Sequence, residues 1–394
     1  MGQANIIPAI DINSGISLFS TIYLGIIGAA VFIVQPGFVQ GLVEFYGFSE
    51  QEVGYIASAE IWGLALTTLL LAFGGHRYSW QNILKCSLIL FVLGNLVSLT
   101  ATSMFSFSAL RFITGLGSGG MVSLTFTIIG ITAKADRNFS LLIMGVLTYG
   151  AFGLWSMPAV FEAVGMNGVI IFFAVFGGSG WWFLPHLPNS GEEQLQIEDD
   201  AVNLGDMFRV CALLAMFTYF LAQGVIWAYL FLIGLNGGVS EQEVANGLML
   251  SQFLGIAGAM IAALAGNRFG RTLPLAIGIL GGGVVLFWLF GTFTSLVYAI
   301  TVCIYNFAWN MTHPYLLASM ASFDQHGKVV VYAVAAQMLG LAIGPAFAAS
   351  LIQQNDYSLV IMAGMVLFLL SFLMILIPLL AHQRQRQRLQ LNNP

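Results

Sequence analysis

Charge is what this sequence has least of. Only 7% of its 394 residues are Asp, Glu, Lys or Arg, against about 25% in a soluble domain. A chain of this length with so few charges is excluded from water-soluble folds, and its solvent is lipid. Cysteine is also scarce. Cys86, Cys211 and Cys303 lie far apart in apolar segments without CxxC spacing, which excludes a disulfide framework and a zinc site. No basic run with interleaved aromatics occurs, and the net charge of -5 is small, so nucleic acid is not a partner. The sequence has no Walker motif, no nucleophile elbow and no metal-ligand cluster. ATP drive, a cofactor and an enzymatic activity are therefore not expected. Residues 1–14 contain no Lys or Arg, so a cleaved signal peptide is not expected and the first span should be retained.

What is there is hydrophobic sequence, 58% of the chain. Runs of about 20 apolar residues, the length that crosses a bilayer, recur at 16–42, 53–74, 83–102, 107–131, 139–164 and 168–184. A second set falls at 207–235, 244–266, 273–293, 296–320, 329–351 and 359–380. The expectation is an all-α membrane protein with twelve transmembrane helices in two six-helix bundles, 1–184 and 207–381. The stretch 185–206 holds Glu192, Glu193, Glu198, Asp199, Asp200 and Asp206 and reads as a cytoplasmic linker. Residues 382–394 read as a cytoplasmic tail whose Arg384, Arg386 and Arg388 anchor at anionic headgroups.

Apart from Arg111, every Lys and Arg falls on one side of these spans, while the opposite loops carry only acids, among them Glu44, Glu50, Glu52, Glu241, Glu243 and Asp356. The positive-inside rule then puts both termini in the cytoplasm and the chain in the inner membrane. The halves also repeat. Ser49-Glu50-Gln51-Glu52-Val53 recurs as Ser240-Glu241-Gln242-Glu243-Val244, and the same ungapped register sets Gly75 on Gly266 and Arg77 on Arg268. Parallel repeats of this kind are a transporter plan with the solute site between the halves.

The loop Gly266-Asn267-Arg268-Phe269-Gly270-Arg271 resembles the cytoplasmic loop signature of the major facilitator superfamily. Gly74-Gly75-His76-Arg77 is its first-half counterpart, with His76 where the family usually has Asp. Arg111, Gly115, Gly117 and Gly119 are similar to the family's Arg-x-x-x-Gly-x-Gly-x-Gly stretch, and Gly340–Pro345 to its Gly-x-x-x-Gly-Pro element. The fifth span lacks the Gly-Pro pair typical of drug/proton antiporters. The resemblance implies two rocking bundles, with Arg77, Asn267, Arg268 and Arg271 in the gating loops.

Two charges lie inside the hydrocarbon. Glu60 is deep in the second span, where a carboxylate costs about 2.5–3.5 kcal/mol and usually serves function. Arg111 shares a face with Thr114, Gly115 and Ser118. It can bind an anionic solute group, pair with Glu60, tie helix ends together or snorkel to the interface. Asn306, Asn310 and His313, with Trp309 beside them, form one stripe of the tenth span. The stripe suits a small amphipathic solute, and His313 can relay protons; interhelical hydrogen bonding is the blander role. Gln35, Gln223 and Trp227 are further binding candidates, with Gln252 and Gln337 behind them. The function expected is proton-coupled alternating-access transport of a small organic, possibly anionic, solute by a monomer. The alternatives are a proton-driven efflux antiporter for hydrophobic compounds, a uniporter, and a non-transporting membrane protein that keeps the fold.

Overall fold

The computed structural model describes residues 10–74, 78–190, 201–325, 328–353 and 355–392. These form α1 (Gly15–Ile33), α2 (Gln35–Tyr46), α3 (Glu50–Gly74), α4 (Trp80–Ser98), α5 (Met104–Gly130) and α6 (Ala135–Ser179). After the linker come α7 (Asp206–Trp227), α8 (Leu230–Asn236), α9 (Glu241–Ala265), α10 (Thr272–Val285), α11 (Ser295–Ser322), α12 (Lys328–Leu351) and α13 (Ser358–Asn392).

Ten of the described helical segments are long and apolar enough to cross a membrane. Two physical facts reconcile ten with twelve. The segment Ala135–His186 is 52 residues long, enough for two crossings at 1.5 Å per residue. It turns at Gly165, whose φ of 62° breaks the helical backbone and suits glycine. α11 is 28 residues long but carries the polar stripe, which lowers its hydropathy. Two expected spans are interrupted. The first breaks at Val34 into α1 and α2, just before Pro36. The seventh breaks at Ala228–Tyr229 into α7 and α8.

Within each half, helices pack backbone to backbone at glycines. In the first half a Cβ at Gly115 of α5 would collide with the Glu60 carbonyl of α3, and one at Gly63 with the Phe112 carbonyl. In the second half a Cβ at Gly258 of α9 would collide with the Phe307 carbonyl of α11. Small residues permit this approach, and it fixes where Glu60 and Asn306 point.

The Lys and Arg residues mark one end of the molecule and the acidic loops the other. Hydrogen bonds that join the halves gather towards the acidic end. Gln51 Nε2 donates to the Ile352 carbonyl at 2.9 Å, Tyr229 OH to the Glu50 carbonyl at 2.8 Å, and Ser58 Oγ to the Ala342 carbonyl. At the basic end the expected linker and tail are more tightly held than their polarity suggests. Val202 and Leu204 are buried and donate backbone bonds to Ser322 and Phe323 at 2.9 and 3.2 Å. α13 continues as helix into the tail, and Gln383 Nε2 donates to Thr272 Oγ1 at 3.1 Å. The acidic run from Glu192 to Asp200 lies outside the described residues.

Candidate functional site

Glu60 and Arg111 face each other across the α3–α5 contact. Arg111 Nη1 is 3.9 Å from Glu60 Oε1, an ion pair without a hydrogen bond. Arg111 is fully buried and turned towards α4. Its Nη1 and Nη2 each donate to Asn95 Oδ1 at 3.1 Å, and Nη2 also donates to Ser98 Oγ at 2.8 Å and the Gly94 carbonyl at 3.2 Å. The Phe38 and Phe107 rings flank its guanidinium, with centroids 5.7 and 5.6 Å away. Only Nε is left without a hydrogen bond. Of the roles the sequence leaves open for Arg111, this conformation shows the pairing with Glu60 and the tie to a neighbouring helix: α4 holds its terminal nitrogens. Asn95 and Ser98 were not singled out in the sequence, although two polar residues at i and i+3 in an apolar span are a readable signal.

Glu60 has the complementary situation. Its Oε1 is buried without a hydrogen bond, and the residue lines a cavity of about 10 Å³, room for about one water. Gly28, Phe32, Gln35, Ile61 and Ser118 share the wall. Gln35 is buried, and its Oε1 is also unpaired.

The second half contributes amides and rings. Tyr305 OH donates to Gln223 Oε1. Asn306 Nδ2 donates to Ser251 Oγ at 3.2 Å, and Asn310 Nδ2 to Asn306 Oδ1 at 2.7 Å. His313 Nε2 pairs with Gln337 Oε1 at 3.0 Å. Trp309 is half-buried. Its ring lies edge-on to Trp227 at 5.7 Å, to Tyr305 at 6.2 Å and to Phe32 of the first half at 6.5 Å. Phe32 thus touches both the Glu60 cavity and the aromatic cluster. Its carbonyl accepts from Trp227 Nε1 at 3.0 Å. Pro36, four residues on, has no N–H to give that oxygen, which otherwise accepts only from the Val34 N–H.

The structure therefore brings Glu60 next to Arg111, gathers Gln35 with Glu60, and links them through Phe32 to Trp227 and Trp309. Asn306, Gln223 and His313 point into hydrogen bonds within their own half. The gating-loop residues lie apart from this centre. Asn267 and Arg268 are exposed, Arg271 is half-buried, and Arg77 lies outside the described residues. A larger cavity of about 640 Å³ opens at the basic end between α7 and α12, lined by Asn203, Asp206, Arg209, Asp324, Lys328 and Tyr332 among others. None of the described candidate residues lines it.

No curated protein matches the chain in sequence. Solved structures do resemble it. A D-xylose-proton symporter aligns with a TM-score of 0.69 and 17% identity, over 90% of this chain and 96% of that one. The inward-open xylose transporter XylE from E. coli gives 0.69 and 17%, over 90% and 94%. The same transporter in a partially occluded inward-open conformation gives 0.66 and 16%, over 89% and 96%. At these identities the likeness is one of fold. The family model described as Major Facilitator Superfamily matches residues 21–323, well over half of the chain, and this protein belongs to that family of multi-pass membrane transporters rather than to the enzymes.

Proposed function

We propose that the chain is a secondary active transporter that couples a small organic solute to protons by alternating access, with Glu60 as the proton-carrying group. The observation that carries this reading is the asymmetry of the buried pair. Arg111 is held by Asn95, Ser98 and Gly94 through its terminal nitrogens, whereas Glu60 Oε1 has only a 3.9 Å ion-pair contact and the residue lines a cavity. Arg111 acts as a fixed counter-charge and Glu60 as the movable protonation site. Ionised, Glu60 is drawn to Arg111 and holds α3 against α5. Protonated, it is neutral, and that attraction is gone. A step that changes the helix packing then changes proton affinity, and solute binding is linked to it reciprocally.

The solute surface that this arrangement supports is uncharged and aromatic: Gln35, Phe32, Trp227, Trp309 and Asn310. An anionic solute would require Arg111 to exchange its α4 partners. The fold likeness to a D-xylose-proton symporter is in keeping with a polar, uncharged solute taken with a proton. The cluster of Phe32, Trp227 and Trp309 rings favours one second reading, proton-driven efflux of hydrophobic compounds. The Lys and Arg distribution supports an inner-membrane orientation with both termini cytoplasmic.

The test is proton flux in proteoliposomes, followed with a pH-sensitive dye while anionic, cationic, neutral polar and hydrophobic solutes are added in turn. Wild type should show flux with one class, and Glu60→Gln, folded to the same extent, should show none. Solute-dependent flux that survives Glu60→Gln would remove Glu60 from the proton path.

A further inference from the structure

We infer that Gln252 of α9 lines the solute path, and that its side-chain amide is the hydrogen-bonding group the second half offers to an uncharged solute across the seam with α6. The inference rests on the transporter reading above and adds a residue to its site.

Gln252 is fully buried, yet neither Nε2 nor Oε1 has a hydrogen-bond partner. Buried amides are nearly always paired, because an unpaired one forfeits its hydration without compensation. The neighbouring polar groups are engaged elsewhere. Ser251 Oγ donates to the Leu248 carbonyl at 2.7 Å and accepts from Asn306, and Asn306 Oδ1 is taken by Asn310. Across the seam stands Gly150 of α6. A Cβ built there would meet Gln252 Cδ and Oε1 at 3.4 Å and Ile33 Cγ1 at 2.7 Å. The amide is therefore directed at bare backbone of the other half, next to the last residue of α1. Phe32, the residue before Ile33, is the ring that joins the Glu60 cavity to Trp309.

The internal repeat makes an independent argument. The ungapped register that sets Ser49 on Ser240 sets Glu60 on Ser251 and Ile61 on Gln252. Ile61 lines the cavity beside Glu60. Gln252 thus holds, in the second half, the position that forms a cavity wall in the first. A carboxamide presents one donor group and one acceptor side by side. That pattern complements a hydroxyl or another amide and carries no charge to balance. It matches a centre whose two formal charges already face each other.

The test uses the full-length chain in proteoliposomes, two variants at Gln252 and one control. Gln252→Cys is made with Cys86, Cys211 and Cys303 replaced by Ser, beside the control Ala245→Cys at another buried position of α9. The probe is MTSET, a membrane-impermeant thiol reagent. Cys at 252 should react at least about ten-fold faster than Cys at 245, because the transport cycle opens the seam to water. Gln252→Leu should keep or raise the Tm, since it removes two unpaired polar atoms from a buried site. Equal inertness of the two cysteines would overturn the inference. So would a fall in the Tm of Gln252→Leu, which marks a structural hydrogen bond, or an unchanged half-saturation in Gln252→Leu for a solute that drives proton flux. If Glu60→Gln leaves the flux intact while Cys at 252 is labelled, the proton reading fails and this one stands.

Discussion

Arg111 shows how a buried charge is kept in a lipid-solvated protein. Its cost is met by three groups of α4, two aromatic faces and one carboxylate at 3.9 Å. Removing one member of such a pair leaves the other charge uncompensated, at about 3–5 kcal/mol. Arg111→Gln alone should therefore lower the Tm strongly, and the double variant Glu60→Gln, Arg111→Gln should recover part of the loss. Thermal unfolding in detergent of the two single variants and the double variant measures this. Additive losses would mean that the two side chains do not act on each other. Both residues were legible in the sequence because a charge inside an apolar span stands out. Asn95 and Ser98 did not stand out, because a neutral polar side chain is tolerated in many spans and its partner lies on another helix. They hold the guanidinium against α4, which is the helix-tying role among those the sequence leaves open for Arg111.

At the scale of elements, the breaks decide what the halves can exchange. Pro36 is visible in the sequence, but not that the Phe32 carbonyl four residues before it is bonded by Trp227 of the other half. Such a bond is between halves, and no periodicity within one helix encodes it. Trp227→Phe keeps the ring and removes the donor. The lost hydrogen bond is worth about 1 kcal/mol, about a five-fold shift in a two-state equilibrium, and the shift is away from the conformation seen here. Spin labels at Phe45 and Leu250, both exposed and in opposite halves, read it as a larger long-distance population. An unchanged distance distribution would show that the bond does not hold the halves. The fused α6 and the broken first span had different causes. Gly165 turns the chain without a polar loop, so the two apolar runs were visible while the missing interruption was not. α11 is less apolar than the other long helices because of its row of Asn306, Asn310 and His313.

The whole molecule is organised by its charge asymmetry, which is fully readable as a sequence property; its consequence at the acidic end is not. Gln40 of α2 is buried, and its Nε2 donates to Glu44 Oε2 at 2.5 Å and reaches Glu241 Oε1 of α9 at 3.4 Å. One amide nitrogen thus draws together two carboxylates from opposite halves. The loops at this end contain no Lys or Arg to neutralise them. Two negative charges about 6 Å apart repel by roughly 0.7–3 kcal/mol at effective dielectric constants of about 80 to 20. When one carboxyl is protonated the repulsion vanishes and its O–H can donate to the other. Closure of the acidic end is therefore favoured at low pH and weakened as pH rises and Glu241 ionises. The same pair of spin labels should show a larger separation at about pH 7.5 than at about pH 3.5, a range that crosses the ordinary carboxylate region. In Glu241→Gln only one charge remains at the contact and the separation should stay short across that range. A pH response of the same size in Glu241→Gln would move the sensor elsewhere, and Glu60, the buried carboxylate of the first half, would be the next residue to replace.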